Sequence, residues 1–123
     1  MRTAREWAGD FPFILIIAVA AWGFWHVSLE VRTHPVTYYT RGAVTASGER
    51  FDPQAPACAV RDPRLLGHWI RFYYHGREIW CRANDLMPRG SKAEYDLTPW
   101  AFSRLAPLSK GRIEARAIDE GTQ

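Results

Sequence analysis

The stretch Thr45-Ala46-Ser47-Gly48-Glu49-Arg50-Phe51-Asp52 connects two segments whose composition is typical of β-strands. Residues 36–40 before it are β-branched and aromatic, and residues 57–60 after it form a short apolar run, so each predicts a strand. Ser47-Gly48 indicates a turn, and residues 51–56, which contain two prolines, predict a loop. The stretch is therefore a polar connection between two strands.

Farther along the chain, a tight turn predicts a β-hairpin. Residues 68–74 and 78–83 flank His75-Gly76, where glycine supplies the positive φ that a two-residue turn requires. Alternation in the second strand places Ile79, Cys81 and Ala83 on one face. We expect Asp85 just past the end of this strand, a usual position for a functional side chain on a rigid support.

A helix and a closing strand complete the soluble part. Thr98 is a typical N-cap and Pro99 a typical first helical residue, so a helix is predicted over residues 98–106, ended by Pro107. Residues 111–118 then alternate as a strand does. Asp96 is expected to structure the loop before the helix. The residues alone predict a small β-rich domain with one helix.

The amino-terminal part differs from the rest of the 123-residue chain because residues 11–29 include no Asp, Glu, Lys or Arg. A helix of that length covers roughly 28 Å, close to the hydrocarbon thickness of a bilayer. We predict a single transmembrane helix over residues 11–29, after a cytoplasmic tail of residues 1–10. A cleaved signal peptide and a buried core helix are the alternatives.

Cys58 and Cys81 are the only cysteines. A disulfide between them would stabilise so small a domain by roughly 3 kcal/mol and would imply an oxidising compartment. The alternative is two buried free thiols. The four histidines lack the spacing of zinc ligands, so neither a metal nor a cofactor is predicted.

The net charge of +3 is carried almost entirely by arginine. Residues 71–77 interleave bases with aromatic rings, a pattern found in some nucleic-acid-binding proteins. Acidic residues such as Glu78 and Asp85 dilute this basic run, so no nucleic-acid partner is predicted. Weak attraction to an anionic polymer such as cell wall fits the charge better.

Taken in order, these signals carry a family resemblance. They are Tyr38-Tyr39, the stretch 45–52, Cys58-Ala59-Val60, Leu66-Gly67, Arg82-Ala83-Asn84-Asp85 with Pro88, and Asp96-Leu97-Thr98 before the helix. Over residues 36–117 the chain resembles the double-psi β-barrel of the rare lipoprotein A family, which is related to expansin and barwin-like domains.

The resemblance implies a mostly β fold, namely a small six-stranded double-psi β-barrel with one short helix, preceded by the single transmembrane helix. The domain layout is then a linker over residues 30–35, the barrel over residues 36–118 and a tail over residues 119–123.

Members of this family cut or bind cell-wall glycans, and in bacteria they act as lytic transglycosylases on peptidoglycan. The resemblance implies Asp85 and Glu49 as catalytic residues, and it implies substrate-binding roles for Tyr39, Tyr38, Ser47 and Asn84. One carboxyl group suffices for such a reaction, because it can protonate the leaving oxygen and then accept the attacking hydroxyl's proton. The pKa of that acid must be raised, which a groove lined by aromatic rings could achieve.

The chain also departs from the family. The family's histidine should fall near Val60 or Arg61, and neither position holds one.

The predicted function is a membrane-anchored, peptidoglycan-remodelling protein of the bacterial inner membrane, with its barrel in the periplasm and peptidoglycan or a related glycan as partner. The alternative is a non-catalytic, expansin-like glycan-binding module or a structural component of an envelope or virion.

Overall fold

The computed structural model describes residues 32–122. Its six strands are β1 (His34–Tyr38), β2 (Ala57–Val60), β3 (Trp69–Tyr74), β4 (Arg77–Leu86), β5 (Tyr95–Leu97) and β6 (Arg112–Asp119). One short helix, α1 (Pro99–Ser103), follows β5, and 3-10 turns cover Pro63–Leu65 and Leu108–Lys110. The predicted membrane helix over residues 11–29 lies outside the described residues, and within them no helix is long and apolar enough to cross a membrane.

The six strands close into a barrel in the order β1-β5-β2-β4-β3-β6. The pairs β1–β5 and β2–β4 are parallel, whereas the other four pairs are antiparallel. This mixed pairing brings β2 and β5 side by side, although 34 residues separate the end of one from the start of the other. The predicted mostly β, six-stranded barrel with one short helix is confirmed.

Alternate residues of every strand fill the barrel. The strand residues buried completely are Val36, Cys58, Val60, Ile70, Phe72, Cys81, Ala83, Leu97 and Ala115. Phe72 packs edge-on against Tyr95, with ring centroids 5.2 Å apart. Phe102 of α1 joins this core, so the helix closes one end of the barrel.

The hairpin between β3 and β4 turns at His75 and Gly76, whose φ angles are 46° and 78°. Two successive positive φ values define the type I′ turn, whose twist matches that of the flanking strands. The hairpin prediction is therefore confirmed, and its second strand extends three residues beyond Ala83 to Leu86.

Helix α1 begins as predicted and ends earlier. The Thr98 side chain accepts a hydrogen bond from the Ala101 N–H, which makes Thr98 the N-cap. The helix stops at Ser103 rather than at residue 106, because Pro107 has no N–H to donate to the Ser103 carbonyl and its ring disfavours helical backbone at residue 106. Residues 104–106 form a turn instead, and Leu105 in this turn is still buried.

Cys58 and Cys81 are buried free thiols, so the predicted disulfide does not form in this structure. Cys58 lies opposite Ala83 across β2 and β4, which leaves Cys81 two residues farther along its strand. Normal strand spacing and rise put such a diagonal pair roughly 8 Å apart at Cα, beyond the reach of a disulfide. Burial raises the pKa of both thiols, that of Cys81 to about 12. The cysteines therefore do not support an oxidising compartment.

Candidate functional site

A lateral row of four residues crosses the outer face of the barrel. Thr37 of β1 lies opposite Asp96 of β5, Asp96 lies opposite Ala59 of β2, and Ala59 lies opposite Asp85 of β4. Their strand neighbours Val36, Val60 and Leu97 point into the core. Two carboxylates therefore flank the small side chain of Ala59, with their Cα atoms roughly 10 Å apart across two strand spacings. We call this row and the adjacent Tyr39 the carboxylate groove.

Asp85 reaches this groove because of a β-bulge. The pairing of β2 with β4 shifts between Cys58 and Ala59, so Asn84 is an extra residue with no partner in β2. Without the extra residue, alternation from the inward-facing Ala83 would point Asp85 into the core. The sequence-based prediction that Asp85 follows the strand is wrong, since β4 continues through Leu86. The bulge, and not the strand end, aims the carboxylate outward.

Asp85 is fixed by backbone hydrogen bonds. Its Oδ1 accepts one from the Ala46 N–H at 3.0 Å and one from the Leu86 N–H at 2.9 Å. The first of these bonds ties the polar connection to β4, and a second tie forms nearby because the Ser47 N–H donates to the Asn84 carbonyl at 3.1 Å. The predicted site residues Asp85, Ser47 and Asn84 are thus brought together.

Tyr39 lies beside both carboxylates of the groove. Burial raises the pKa of its hydroxyl, with further increases from the charges of Asp85 and Asp96 and from a hydrogen bond with Asp85. Its ring packs on Phe51 at a centroid distance of 4.8 Å. Tyr39 therefore stays a neutral phenol that can donate a hydrogen bond. It borders the carboxylate groove, where a residue with its predicted substrate-binding role would lie.

Asp96 is the functional candidate that the sequence-based analysis missed, because residues 95–97 were expected to be loop and instead form β5. Burial raises the pKa of its carboxyl, and the charge of Asp85 raises it further. A hydrogen bond from the Thr37 hydroxyl, 2.9 Å long, opposes this shift. Among the carboxyl groups whose pKa shift is resolved within residues 32–122, Asp96 alone has a raised pKa. Burial next to a second carboxylate therefore favours the protonated form of Asp96 more than exposure to water would.

Glu49 does not join the carboxylate groove through any hydrogen bond described for residues 32–122. It forms an ion pair with Arg82, and its Oε1 accepts a hydrogen bond from the Ser47 hydroxyl at 2.9 Å. These two partners hold the pKa of Glu49 below its usual value. The ion pair also fastens the polar connection to β4, and the predicted catalytic role of Glu49 stays a prediction.

Tyr38 and Tyr39 point to different surroundings. The Tyr38 ring packs on Phe102 at 4.9 Å, and its hydroxyl donates to the Leu108 carbonyl at 3.0 Å. Tyr38 thus joins β1 to the segment after α1, and of the two predicted substrate-binding tyrosines only Tyr39 borders the groove.

Asn84 combines deep burial with an unused acceptor. Asn84 is only 7% exposed, and its side-chain Oδ1 has no hydrogen-bond partner in the described structure. An unsatisfied buried acceptor costs free energy and is uncommon in folded proteins. It is a free acceptor next to Asp85 in the chain.

In the part of the chain that the structure describes, no three His, Cys, Asp or Glu side chains converge on a point that could hold a metal ion.

Comparison with known proteins gives a fold assignment. No protein-family model matches the chain. The structure is similar to that of a Streptomyces papain inhibitor, with 28% identity, a TM-score of 0.59, and coverage of 69% of this chain and 88% of the inhibitor chain. It also resembles a mutant Clavibacter michiganensis expansin in complex with cellohexaose (15% identity, TM-score 0.59, 72% of this chain and 50% of the expansin). Cerato-platanin 2 from M. perniciosa is a third neighbour (14% identity, TM-score 0.54, 73% of this chain and 95% of that one). The fold is a double-psi β-barrel.

By sequence, the chain is similar to the papain inhibitor of Streptomyces mobaraensis, with 28% identity over 93 residues. The match covers 66% of this chain and 65% of that relative. The expected kinship with expansin-like barrels is confirmed at the level of fold, whereas specific membership of the rare lipoprotein A family is not.

Proposed function

We propose that the barrel is a non-catalytic, expansin-like module that binds a glycan in the carboxylate groove, with peptidoglycan or a related cell-wall polysaccharide as the ligand. The observation that carries this proposal is the row in which Asp85 and Asp96 flank Ala59 beside Tyr39. A polysaccharide presents many hydroxyl groups, and carboxylates and a phenol are suited to accept from and donate to them.

The fold is compatible with this ligand class. The structure of the Clavibacter michiganensis expansin, which has the same fold, contains the glycan cellohexaose. In this chain the small side chain of Ala59, which is 3% exposed, sits between the two carboxylates. A polysaccharide would therefore bind through the two carboxylates and Tyr39 rather than through Ala59, which the protein itself covers.

Binding fits the groove better than cleavage by the predicted pair of acids. Glu49 is held by Arg82 and has a lowered pKa, so it is a poor proton donor. If the protein does cleave peptidoglycan as a lytic transglycosylase, Asp96 is the better general acid because its pKa is raised. Asp85 would then position the substrate.

Incubation with insoluble peptidoglycan sacculi and with cellulose tests this proposal. The wild-type protein is expected to pellet with at least one of them and to release no soluble fragments. Asp85→Asn and Asp96→Asn are each expected to weaken binding at least tenfold. Asp62→Asn is the matched control, because Asp62 pairs with Arg64 away from the groove. Equal binding by all four proteins would overturn the groove as the site, and release of anhydromuropeptides that Asp96→Asn abolishes would establish cleavage instead.

A second candidate function is inhibition of papain-like cysteine proteases. The sequence relative and one structural neighbour are both papain inhibitors. Val44, which directly precedes the polar connection, is 68% exposed and is the most exposed large hydrophobic residue described, so it could serve as the apolar anchor of a protease-binding loop. Hydrogen bonds from Thr45 N–H to the Glu49 carbonyl and from Phe51 N–H to the Ala43 carbonyl brace the loop around it. A rigid loop with an apolar anchor loses little entropy when it enters a protease cleft.

Inhibition of papain by the purified protein tests this candidate. Val44→Asp should abolish inhibition, whereas Leu108→Asp should not. Within residues 32–122, Leu108 is the second exposed large hydrophobic residue, at 39%. If the wild-type protein leaves papain fully active at a large molar excess, or if both variants inhibit as well as wild type, the loop is not an inhibitory element. The two functions are separable, because Asp96→Asn should leave protease inhibition unchanged.

A further inference from the structure

The exposed Val44 has a basic neighbour across its loop. We call residues 43–51 the Val44 loop, and within it Val44 and Arg50 lie opposite each other in an antiparallel bridge. The N–H groups of Thr45 and Phe51 donate the two hydrogen bonds that flank the bridge. Val44 and Arg50 are therefore a non-hydrogen-bonded pair, whose Cα atoms lie roughly 4.5 Å apart and whose side chains project to the same side.

The other side of the Val44 loop is fixed to the barrel. Thr45 is only 6% exposed, and the Phe51 ring packs on the ring of Tyr39. The carboxylate of Glu49 forms its ion pair with a side chain of β4. Because side chains alternate between the two sides of an extended segment, the bridged pair projects away from the barrel into solvent.

The charge of Arg50 is not neutralised within residues 32–122. Arg50 is exposed, and no carboxylate of these residues forms an ion pair with it. The carboxylates nearest to it in the chain have other partners. Glu49 pairs with Arg82, and Asp52 accepts a hydrogen bond from the Gln54 N–H at 2.9 Å. The loop therefore presents an apolar side chain beside a free guanidinium group.

We propose that Val44 and Arg50 together recognise a papain-like cysteine protease whose apolar subsite is bordered by a carboxylate. This inference rests on the second proposed function, inhibition of such proteases, and adds the charge of the partner to it. Charge complementarity is the argument, because a guanidinium group can donate two parallel hydrogen bonds to a carboxylate beside the pocket that the apolar anchor fills. Arginine is also among the residues that contribute most to binding at protein interfaces.

The backbone that carries this pair is already braced. The Ala46 N–H donates a hydrogen bond to the Asp85 carboxylate at 3.0 Å, and the Ser47 N–H donates to the Asn84 carbonyl at 3.1 Å. The tip of the loop is thus fastened to β4, and a segment held in its bound shape loses little entropy on binding. When an arginine pairs with a carboxylate in a buried interface, truncation of one partner weakens binding about thirtyfold or more.

Titration of papain activity with purified protein tests the proposal. Residues 32–122 close their own barrel around their own core, so they can be tested without the preceding segment. Arg50→Gln removes the charge and should raise the inhibition constant about thirtyfold. Arg50→Lys should fall between this variant and wild type, because an ammonium group keeps the charge and lacks the planar pair of donors. Added NaCl should weaken inhibition by wild type more than inhibition by Arg50→Gln.

The matched control, Arg77→Gln, removes the same charge elsewhere. Arg77 is exposed, begins β4 at the hairpin turn and forms no ion pair within the described residues. This variant should inhibit papain as well as wild type does. Equal losses in Arg50→Gln and Arg77→Gln would overturn the proposal in favour of a net-charge effect. Both variants replace exposed side chains, so unchanged thermal unfolding is the check on folding.

The outcomes separate this proposal from the function on which it rests. We expect inhibition to be lost in Val44→Asp, weakened in Arg50→Gln and unchanged in Arg77→Gln. If Arg50→Gln inhibits papain as well as wild type while Val44→Asp does not, the loop is inhibitory through its apolar anchor alone and the acidic partner is wrong. If wild type leaves papain fully active at a large molar excess, the inhibitory function and this proposal are both overturned.

Discussion

The Thr98 hydroxyl is expected to contribute about 2 kcal/mol to the free energy of unfolding. It donates a hydrogen bond to the Ala55 carbonyl at 2.6 Å and accepts one from the Ala101 N–H at 3.3 Å. Thr98 is only 2% exposed, so water cannot replace either partner. Loss of the N-cap costs about 1 kcal/mol. Loss of the bond to Ala55 costs about 1 kcal/mol more, at the low end of the usual range, because this carbonyl also accepts from the Ala57 N–H.

Two substitutions distinguish the contribution of the Thr98 hydroxyl to stability from that of its methyl group. Thr98→Val keeps the volume and removes both hydrogen bonds, so we expect a loss of about 2 kcal/mol and a fall in Tm of roughly 10 °C. Thr98→Ser keeps the hydroxyl and removes one buried methyl, for a loss of about 1 kcal/mol. Urea unfolding followed by tryptophan fluorescence measures both values. A Thr98→Val variant as stable as wild type, or less destabilised than Thr98→Ser, would show that packing rather than capping sets the role of this residue.

Three further predictions concern the groove and the thiols. The pKa of Asp96 is higher in the folded state than in the unfolded chain, so the free energy of unfolding falls as the pH rises and Asp96 ionises. Asp96→Asn removes this ionisation. It should be more stable than wild type at neutral pH and equally stable below pH 3.8. Unfolding curves with the same offset at both pH values would contradict this. Asn84→Ala should cost less than about 0.5 kcal/mol in stability, because the removed acceptor is unsatisfied. A larger cost in urea unfolding would mean that the side chain has a partner. Cys58 and Cys81 should resist alkylation in the native protein and react in urea without reductant, and no labelling in urea would indicate a disulfide.

Much of the fold could be predicted because local signals agreed with the tertiary structure. Thr98-Pro99 specified the start of a helix through capping and a fixed φ, both of which are local effects. His75-Gly76 specified a two-residue turn for the same reason. These positions needed no knowledge of distant residues, so the sequence was sufficient to place them.

The errors fall where distant residues decide the structure. β5 has only three residues and is hydrogen-bonded by β1 and β2 on its two sides, and a segment that short is difficult to distinguish from a loop by alternation alone. The bulge at Asn84 depends on the register between β2 and β4, and it reversed the expected alternation at Asp85. The ion pair between Glu49 and Arg82, 33 residues apart, could not be identified from spacing, and the catalytic role that the family resemblance implies for Glu49 stays a prediction. A polar Asp96 between two inward-facing residues was the signal in the sequence that could have indicated an outward-facing strand position.

Closure of the barrel also limits how other molecules can recognise this protein. Each of the six described strands has a hydrogen-bonded neighbour on both sides, so this part of the chain offers no edge to which a partner could add a strand. Partners must instead recognise side chains on the outer face and the backbone of loops. The same closure protects the described strands from the edge-to-edge association that leads open sheets to aggregate.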